Sequence, residues 1–308
     1  METLPTCSEL VMTEFGRIVA ERMGWTVPSL ESASTILDFM RESALFRGKV
    51  EEWAKANPAE AAELMGHAEE EATRKHEERI AERLREHAEA RAATAPRKLA
   101  AFLAAVGVGD VTRDAVVGSL EDTTALQAVR EWTKTGGILL LLGSKGTGKT
   151  TAAAWGLSML GVTQWPRCFC DRCGGGGPRE DCLVGPGHRA RVADEELNPA
   201  KARFVKASHL AAALHRPGGE AIWDEVRKVY VLAIDDLGRE YSDQHGRWLA
   251  EFDLLIDDRH EMRRPTIITS NLSPKEFIER YGERIADRIR QMGLVVNCVG
   301  ESLRRRAG

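Results

Sequence analysis

Apolar residues along this 308-residue chain fall into two regimes. Up to residue 132 they recur at three- and four-residue steps, the period of an amphipathic helix. In residues 8–23, Val11, Phe15, Ile18, Val19 and Met23 share one helical face. Ile36, Leu37, Phe39, Met40, Leu45 and Phe46 predict a second helical region, which Val50 and Trp53 either extend or follow with a third. Residues 59–95 are rich in Ala, Glu and Arg and lack proline, with Leu64, Met65, Ile80 and Leu84 as their few large apolar side chains. That is too sparse for heptads, so the stretch predicts a long solvated helix or semi-rigid linker, closed by Pro96. Leu99, Phe102, Leu103 and Val106, then Leu126, Val129 and Trp132, predict two further amphipathic helices.

From residue 138 short continuous apolar runs replace the helical period. Ile138–Leu142, Arg203–Val205, Val229–Ile234, Thr266–Thr269 and Leu294–Val299 read as strands. Helical segments separate them: Ala152–Leu160, Ser208–Leu214, Trp248–Arg259, Pro274–Tyr281 and Glu283–Met292. Strands alternating with helices predict a parallel five-stranded sheet in an α/β fold, covered on both faces. The expected division is a helical N-terminal domain over 1–58, the charged helix or linker over 59–96, and an α/β domain over 97–308. One segment breaks the rhythm. About forty residues separate the helix ending near Gly161 from the next strand, far above a usual helix-to-strand link. An insertion over 162–202 is therefore expected.

The first strand runs straight into Gly143-Ser144-Lys145-Gly146-Thr147-Gly148-Lys149-Thr150, followed by Thr151 and a run of small helix formers. This fits G-x-x-x-x-G-K-[ST], the phosphate-binding P-loop, in the strand-to-helix context that supports it. Glycines at 143, 146 and 148 let the backbone curl so that its N–H groups face inward. The helix beginning near Lys149 adds its positive dipole end. Lys149 suits the β- and γ-phosphates of ATP, and the Thr150 hydroxyl suits Mg²⁺.

The run Val231-Leu232-Ala233-Ile234 ends in Asp235-Asp236, which puts two carboxylates at the edge of the sheet where α/β folds bind ligands. Asp235 is suited to hold Mg²⁺ and Asp236 to act as general base on the attacking water. Asn271, just beyond the Thr266–Thr269 strand, is suited to orient that water, although an Asn there is also a common turn residue.

Net charge is −4, which does not advertise nucleic-acid binding, though Arg304-Arg305-Arg306 form a local basic cluster. No apolar run approaches the roughly 20 residues of a membrane helix. No basic stretch followed by an apolar core opens the chain, so a cytoplasmic location and no membrane contact are expected. Cys168, Cys170, Cys173 and Cys182 crowd the insertion, with His188 nearby. In a reducing compartment, crowding favours metal over disulfides, and four of these five side chains would suffice for tetrahedral zinc. A flexible loop with reduced thiols is the alternative.

The ordered set GSKGTGKT, VLAIDDLGRE, TIITSNLS, RYGERIADRI and GESLR, spanning residues 97–308, resembles the AAA+ ATPases of the DnaC/DnaI helicase-loader and IstB transposition-helper group. The resemblance implies an AAA+ P-loop NTPase domain that binds ATP and Mg²⁺ and hydrolyses ATP. It makes Lys149 and Thr150 Walker A residues, Asp235 and Asp236 Walker B, and Asn271 sensor 1. It makes Arg288 the arginine finger and Arg304 the sensor 2 arginine. It further implies a homo-oligomer in the ATP state, acting on a replicative helicase and single-stranded DNA. An IstB-like helper working on duplex DNA with a transposase is the alternative enzyme, and an adaptor with little hydrolysis the alternative outside enzymes. Residues 1–95 match no N-terminal domain of that group, and the cysteine-bearing insertion is not part of its usual core.

Overall fold

The computed structural model describes residues 7–168, 173, 191–240, 246–300 and 302–303. Contacts divide the chain into two compact units, one of Met1–Arg91 with Trp165–Asp194 and one of Ala92–Gln164 with Glu195–Gly308.

In the first unit, α1 (Cys7–Met23) and α2 (Ile36–Ala56) lie against the start of α3 (Pro58–Ala105). Phe15, Val19, Val50 and Ala68 form the small core, with Trp53 and Leu64 packed on it. Val50 and Trp53 thus extend the second helix rather than begin a third. Thr35 caps α2 by accepting from the Asp38 amide. Glu14 is buried, which works against its charge, yet hydrogen bonds from Lys75 at 2.6 Å and Arg17 at 2.9 Å hold its carboxyl below the usual range. Ile36, Leu37, Met40 and Leu45 leave their side chains largely in solvent.

Pro96 does not close the charged helix. α3 continues through it to Ala105, so Phe102 and Leu103 are its last turns rather than a separate helix. The physical reason is that burying these two side chains outweighs the one hydrogen bond a proline removes. That missing bond is the one to the carbonyl of Ala92, the residue at which the second unit begins.

The second unit is a five-stranded parallel sheet in the order β4-β5-β6-β1-β7. The strands are β1 (Ile138–Leu142), β4 (Ala202–Lys206), β5 (Val231–Leu237), β6 (Thr266–Ser270) and β7 (Gly293–Asn297). Every residue of β1 and β6 is buried, as a parallel sheet covered on both faces requires. Alternate residues serve opposite layers. Ile138, Leu140, Leu232, Ile234 and Ile268 pack with α7 (Ala207–Ala213), α8 (Glu220–Lys228), α9 (Arg247–Glu261) and α10 (Pro274–Met292). Leu139, Leu141, Val231, Ala233 and Ile267 pack with the end of α3, α4 (Asp110–Val117), α5 (Thr124–Thr135) and α6 (Lys149–Leu160). The sheet expected from the sequence is therefore present.

The small residues of α6 have a steric cause. A Cβ on Gly156 would lie 2.7 Å from both Ile267 and Val129 side-chain atoms, so this helix sits too close to the sheet for anything larger. α10 holds the two helices expected around residue 282, joined across Gly282 with its φ of 82°. Its first turn carries a full capping box between Ser273 and Glu276. The sequence reading did not single out α4, α8, or the pair β2 (Val162–Cys168) and β3 (Arg191–Leu197). The last two form a separate two-stranded sheet, so the long insertion begins and ends in paired strands.

Arg259 is fully buried, with no carboxylate partner among the described residues. Its five N–H groups reach the Thr266 hydroxyl and the carbonyls of Val226, Val229, Tyr230 and Pro265, at 2.7 to 3.0 Å. Burial, aided by the nearby Arg264 charge, pulls its pKa down to about 9. The planar fork joins the end of α8 to the entries of β5 and β6. Arg259→Lys keeps the charge but offers three donors for five acceptors. It is expected to cost about 2–3 kcal/mol, read as a lowered urea midpoint at unchanged slope.

Candidate nucleotide site

The site lies at the C-terminal edge of the sheet, where β1, β5 and β6 end side by side. Past β1 the chain turns through Gly143, Gly146 and Gly148, whose φ values of 126°, 87° and 78° are open mainly to glycine. Space is as limiting as angle. A Cβ on Gly143 would fall 2.3 Å from the Cys298 carbonyl oxygen, and one on Gly146 2.1 Å from Ser302 Oγ. The segment after β7 is thus laid against the loop, and the Leu303 amide donates to the Gly146 carbonyl at 3.0 Å.

Lys149 and Thr150 open α6, and Thr151 lies in the same first turn. The Lys149 ammonium is nearly enclosed. It donates to the carbonyls of Gly143 at 2.9 Å and Ser144 at 2.7 Å, and to Asn271 Oδ1 at 3.3 Å. Thr147 braces the turn through its hydroxyl on the Ser144 carbonyl at 3.0 Å, while Ser144 and Lys145 face solvent. The nearby Cys298 thiol is pushed up to about 11 by burial, against the pull of the Lys149 charge.

Two short chains of hydrogen bonds tie the strands together. In one, Asp235 Oδ1 accepts from Thr150 at 2.9 Å and from Thr269 at 2.7 Å. In the other, Asn271 accepts from Lys149 and donates through Nδ2 to Asp236 Oδ1 at 2.5 Å. Both ends of the Asn271 carboxamide are therefore specified, which fixes its orientation. Asp236 has a φ of 61°, unusual outside glycine, and its amide is held by Thr269 Oγ1 at 3.0 Å. Strain of this kind persists only where neighbours enforce it. Arg239 takes the other carboxylate oxygen of Asp236 at 3.0 Å.

Five residues chosen from the sequence, Lys149, Thr150, Asp235, Asp236 and Asn271, therefore meet in one cluster. Arg288 does not join it, and lies on α10 with its guanidinium on Asp253 and Asp257 of α9, each at 2.6 Å. Asp287, the neighbour available to it in sequence, pairs with Arg290 instead at 2.7 Å. Arg304, Cys170, Cys182 and His188 lie outside the described residues. Cys168 and Cys173 pack against Ile80 and Leu84 in an apolar cluster, with Cys168 fully buried and neither thiol in a disulfide. Among the described residues no group of three His, Cys, Asp or Glu side chains is arranged to hold a metal.

Sequence reasoning missed Thr269, Arg239 and a buried brace at Glu240. Thr269 had a signal, a hydroxyl in an otherwise apolar strand beside Asn271. Glu240 had none. Its carboxylate accepts from the Gly238 amide at 2.7 Å, from Arg280 at 3.0 Å and from the Tyr281 hydroxyl, and so fixes the chain after Asp236. Burial and the Glu240 charge raise the Tyr281 pKa.

The residues fit a Mg²⁺–triphosphate. The glycine turn leaves no room for side chains, Lys149 supplies an enclosed cation, and Thr150 with Asp235 offers the hard oxygen donors that Mg²⁺ prefers. Burial raises the Asp235 pKa, opposed by its Thr269 and Thr150 hydrogen bonds and reinforced by the Asp236 charge. Folding therefore penalises the ionised form, and the penalty disappears as falling pH protonates the group. Asp235→Asn is expected to melt higher than wild type at neutral pH without nucleotide. The gap should close on acidification into the carboxylate range, and calorimetry across pH checks it.

No protein-family model matches the sequence, and no curated protein does. Solved structures with similar arrangements include the DnaC helicase loader, at 19% identity and TM-score 0.41, covering 62% of this chain and 100% of that one. A putative primosome component from Streptococcus pyogenes serotype M3 is 18% identical with TM-score 0.43, covering 67% of this chain and 98% of that one. The replication initiator DnaA bound to AMPPCP and single-stranded DNA is 15% identical with TM-score 0.40, covering 59% of this chain. The match spans about half of that chain, 48%. In this protein one strand, β6 with Asn271 at its end, separates the P-loop strand from the Asp235 strand, and β7 flanks the other side. That topology, with the P-loop between β1 and α6, is an AAA+-type P-loop fold.

Proposed function

We propose that this chain is an ATP-hydrolysing AAA+ protein of DNA replication that works as a helicase loader. The observation that carries the proposal is the cluster of Lys149, Thr150, Asp235, Asp236 and Asn271 at one sheet edge, joined by the two hydrogen-bond chains. In this reading the inward amides of the P-loop and Lys149 bind the β- and γ-phosphates, and Thr150 and Asp235 hold Mg²⁺. When bound, Mg²⁺ neutralises charge that develops between the β- and γ-phosphates. Asp236 takes a proton from the attacking water, and Asn271 orients that water.

Asp236 is already engaged by Arg239 and Asn271. Each carboxylate oxygen accepts one of these bonds and keeps a second lone pair for the attacking water. Arg239 is the weaker hold, because its side chain is 63% exposed. Arg288 is read as the finger that reaches the γ-phosphate of a neighbouring subunit, with Asp253 and Asp257 setting its direction. The exposed apolar side chains of α2, Leu37 at 78% and Met40 at 60%, supply a surface for the helicase partner.

Hydrolysis of ATP by wild type, Asp236→Ala and Arg288→Ala, each without DNA, with single strands and with duplex, tests the reading. Single strands should stimulate wild type. Asp236→Ala should bind ATP but turn over at least about 100-fold more slowly. Arg288→Ala should lose a factor of about 10³ in turnover with ATP affinity kept. Stimulation by duplex alone would replace the loader with a transposition helper. No turnover under any condition would leave an adaptor.

A further inference from the structure

The loader reading requires a path for single-stranded DNA, and no basic track is visible in the sequence. In the folded chain, cations gather at the edge of the sheet opposite the P-loop. A cavity of about 360 Å³ opens there, below the first residues of β1, β5 and β6. Lys134, Arg259, Arg263 and Arg264 line it with His260, and no carboxylate does.

Part of this charge has a structural explanation. Lys134, Arg259 and His260 sit in the last turns of α5 and α9, where cations oppose the helix dipole, and the Lys134 ammonium is paired with Glu131 at 2.7 Å. Arg259 is consumed by its five hydrogen bonds, and Arg264 donates to the Arg227 carbonyl. Arg263 is different. It lies beyond the end of α9, is exposed, and makes no ion pair among the described residues. Its φ of 49° is a left-handed conformation that glycine would adopt without strain. The fold alone would favour glycine at this position, so the guanidinium there is retained at a cost in stability.

An aromatic ring completes the arrangement. Tyr230 lines the same cavity with 48% of its surface exposed. The Lys201 ammonium lies 6.0 Å from the ring centre and donates to the Val162 carbonyl at 3.0 Å. Cations flanking an exposed ring are the elements of single-strand recognition. Phosphates meet the cations and a base stacks on the ring, with little dependence on sequence.

We infer that this cavity binds a single-stranded nucleic acid, with Arg263 on a backbone phosphate and Tyr230 stacked against a base. The inference rests on the loader reading and gives its DNA a location remote from the ATP edge. Free polyphosphate shares the phosphate chemistry but has no use for the ring, so Tyr230 separates the two sources.

The test is fluorescence anisotropy of a labelled oligothymidine, titrated over a range of salt, with wild type, Arg263→Gly, Tyr230→Ala and Lys149→Ala. Arg263→Gly is expected to weaken binding several-fold and to flatten the salt dependence by about 0.7 in log–log slope. It should at the same time raise the melting temperature, because it relieves the left-handed strain. A purely structural arginine would not move the two readouts in opposite directions. Tyr230→Ala is expected to weaken binding about tenfold with its salt slope unchanged. Lys149→Ala should retain nucleotide-independent strand binding. Wild-type binding that neither Arg263→Gly nor Tyr230→Ala alters overturns the inference and leaves the loader reading standing. Wild type that binds no strand, with or without ATP, overturns both. Competition by inorganic pyrophosphate that depends on Arg263, with Tyr230→Ala behaving as wild type, assigns the cavity to free polyphosphate and overturns the strand assignment.

Discussion

Everything at the nucleotide edge depends on the lateral pairing of three parallel strands. β6 lies between β1 and β5, with Leu141 paired to Thr269 and Ile234 to Ile268. That register brings the ends of the three strands level. Thr150 follows one, Asp235 ends another, and Thr269 and Asn271 close the third. A slip of one residue in β6 would turn Thr269 to the other face and remove its bonds to the Asp235 carboxylate and the Asp236 amide. The register is secured by burial rather than by the polar contacts, since every residue of β1 and β6 is inside. The apolar strands therefore set the distances within the cluster, and the hydrogen bonds among Thr150, Asp235, Thr269, Asn271 and Asp236 report a geometry already imposed.

How much of this was legible in the sequence follows from the range of each signal. The P-loop, the acidic strand end and Asn271 were readable because each is a local pattern with a strand beside it. The two helices around Gly282 were readable because one glycine and one proline punctuate them. The continuation of α3 through Pro96 was not, because its cause is distant. Phe102 and Leu103 gain burial against residues such as Leu157 and Phe204, and no local rule weighs that against a lost hydrogen bond. The pair β2 and β3 was missed for a similar reason, as its partner strands lie more than twenty residues apart and β3 (RVADEEL) is mostly polar.

The arginines show the same limit from the other side. Arg259, Arg263, Arg280 and Arg288 look alike in a sequence, yet the fold gives each a different task. Arg259 binds backbone carbonyls, Arg280 satisfies buried Glu240, and Arg288 is held between two aspartates. Arg263 is left over, distinguished by the sign of its φ and by making no ion pair among the described residues. All four carry the same guanidinium, a group that proteins keep protonated. Charge state therefore does not sort them. Partners do.

The two edges of the sheet are consequently independent in construction. The β5 strand that carries Asp235 begins just after Tyr230 and ends at Leu237, and its seven residues span about 23 Å. A rigid, buried strand joins a polar cluster at one end to a cationic cavity at the other. Asp236 is strained by its own neighbours, Thr269 and Asn271, and Arg263 by a turn after α9 that none of them touches. Strain at one edge has no route to relieve strain at the other without disturbing strands whose burial is complete. Changes confined to the Tyr230–Arg263 edge should therefore leave the spacing of Thr150, Asp235 and Asn271 intact, which is what permits the two edges to be probed separately by mutation.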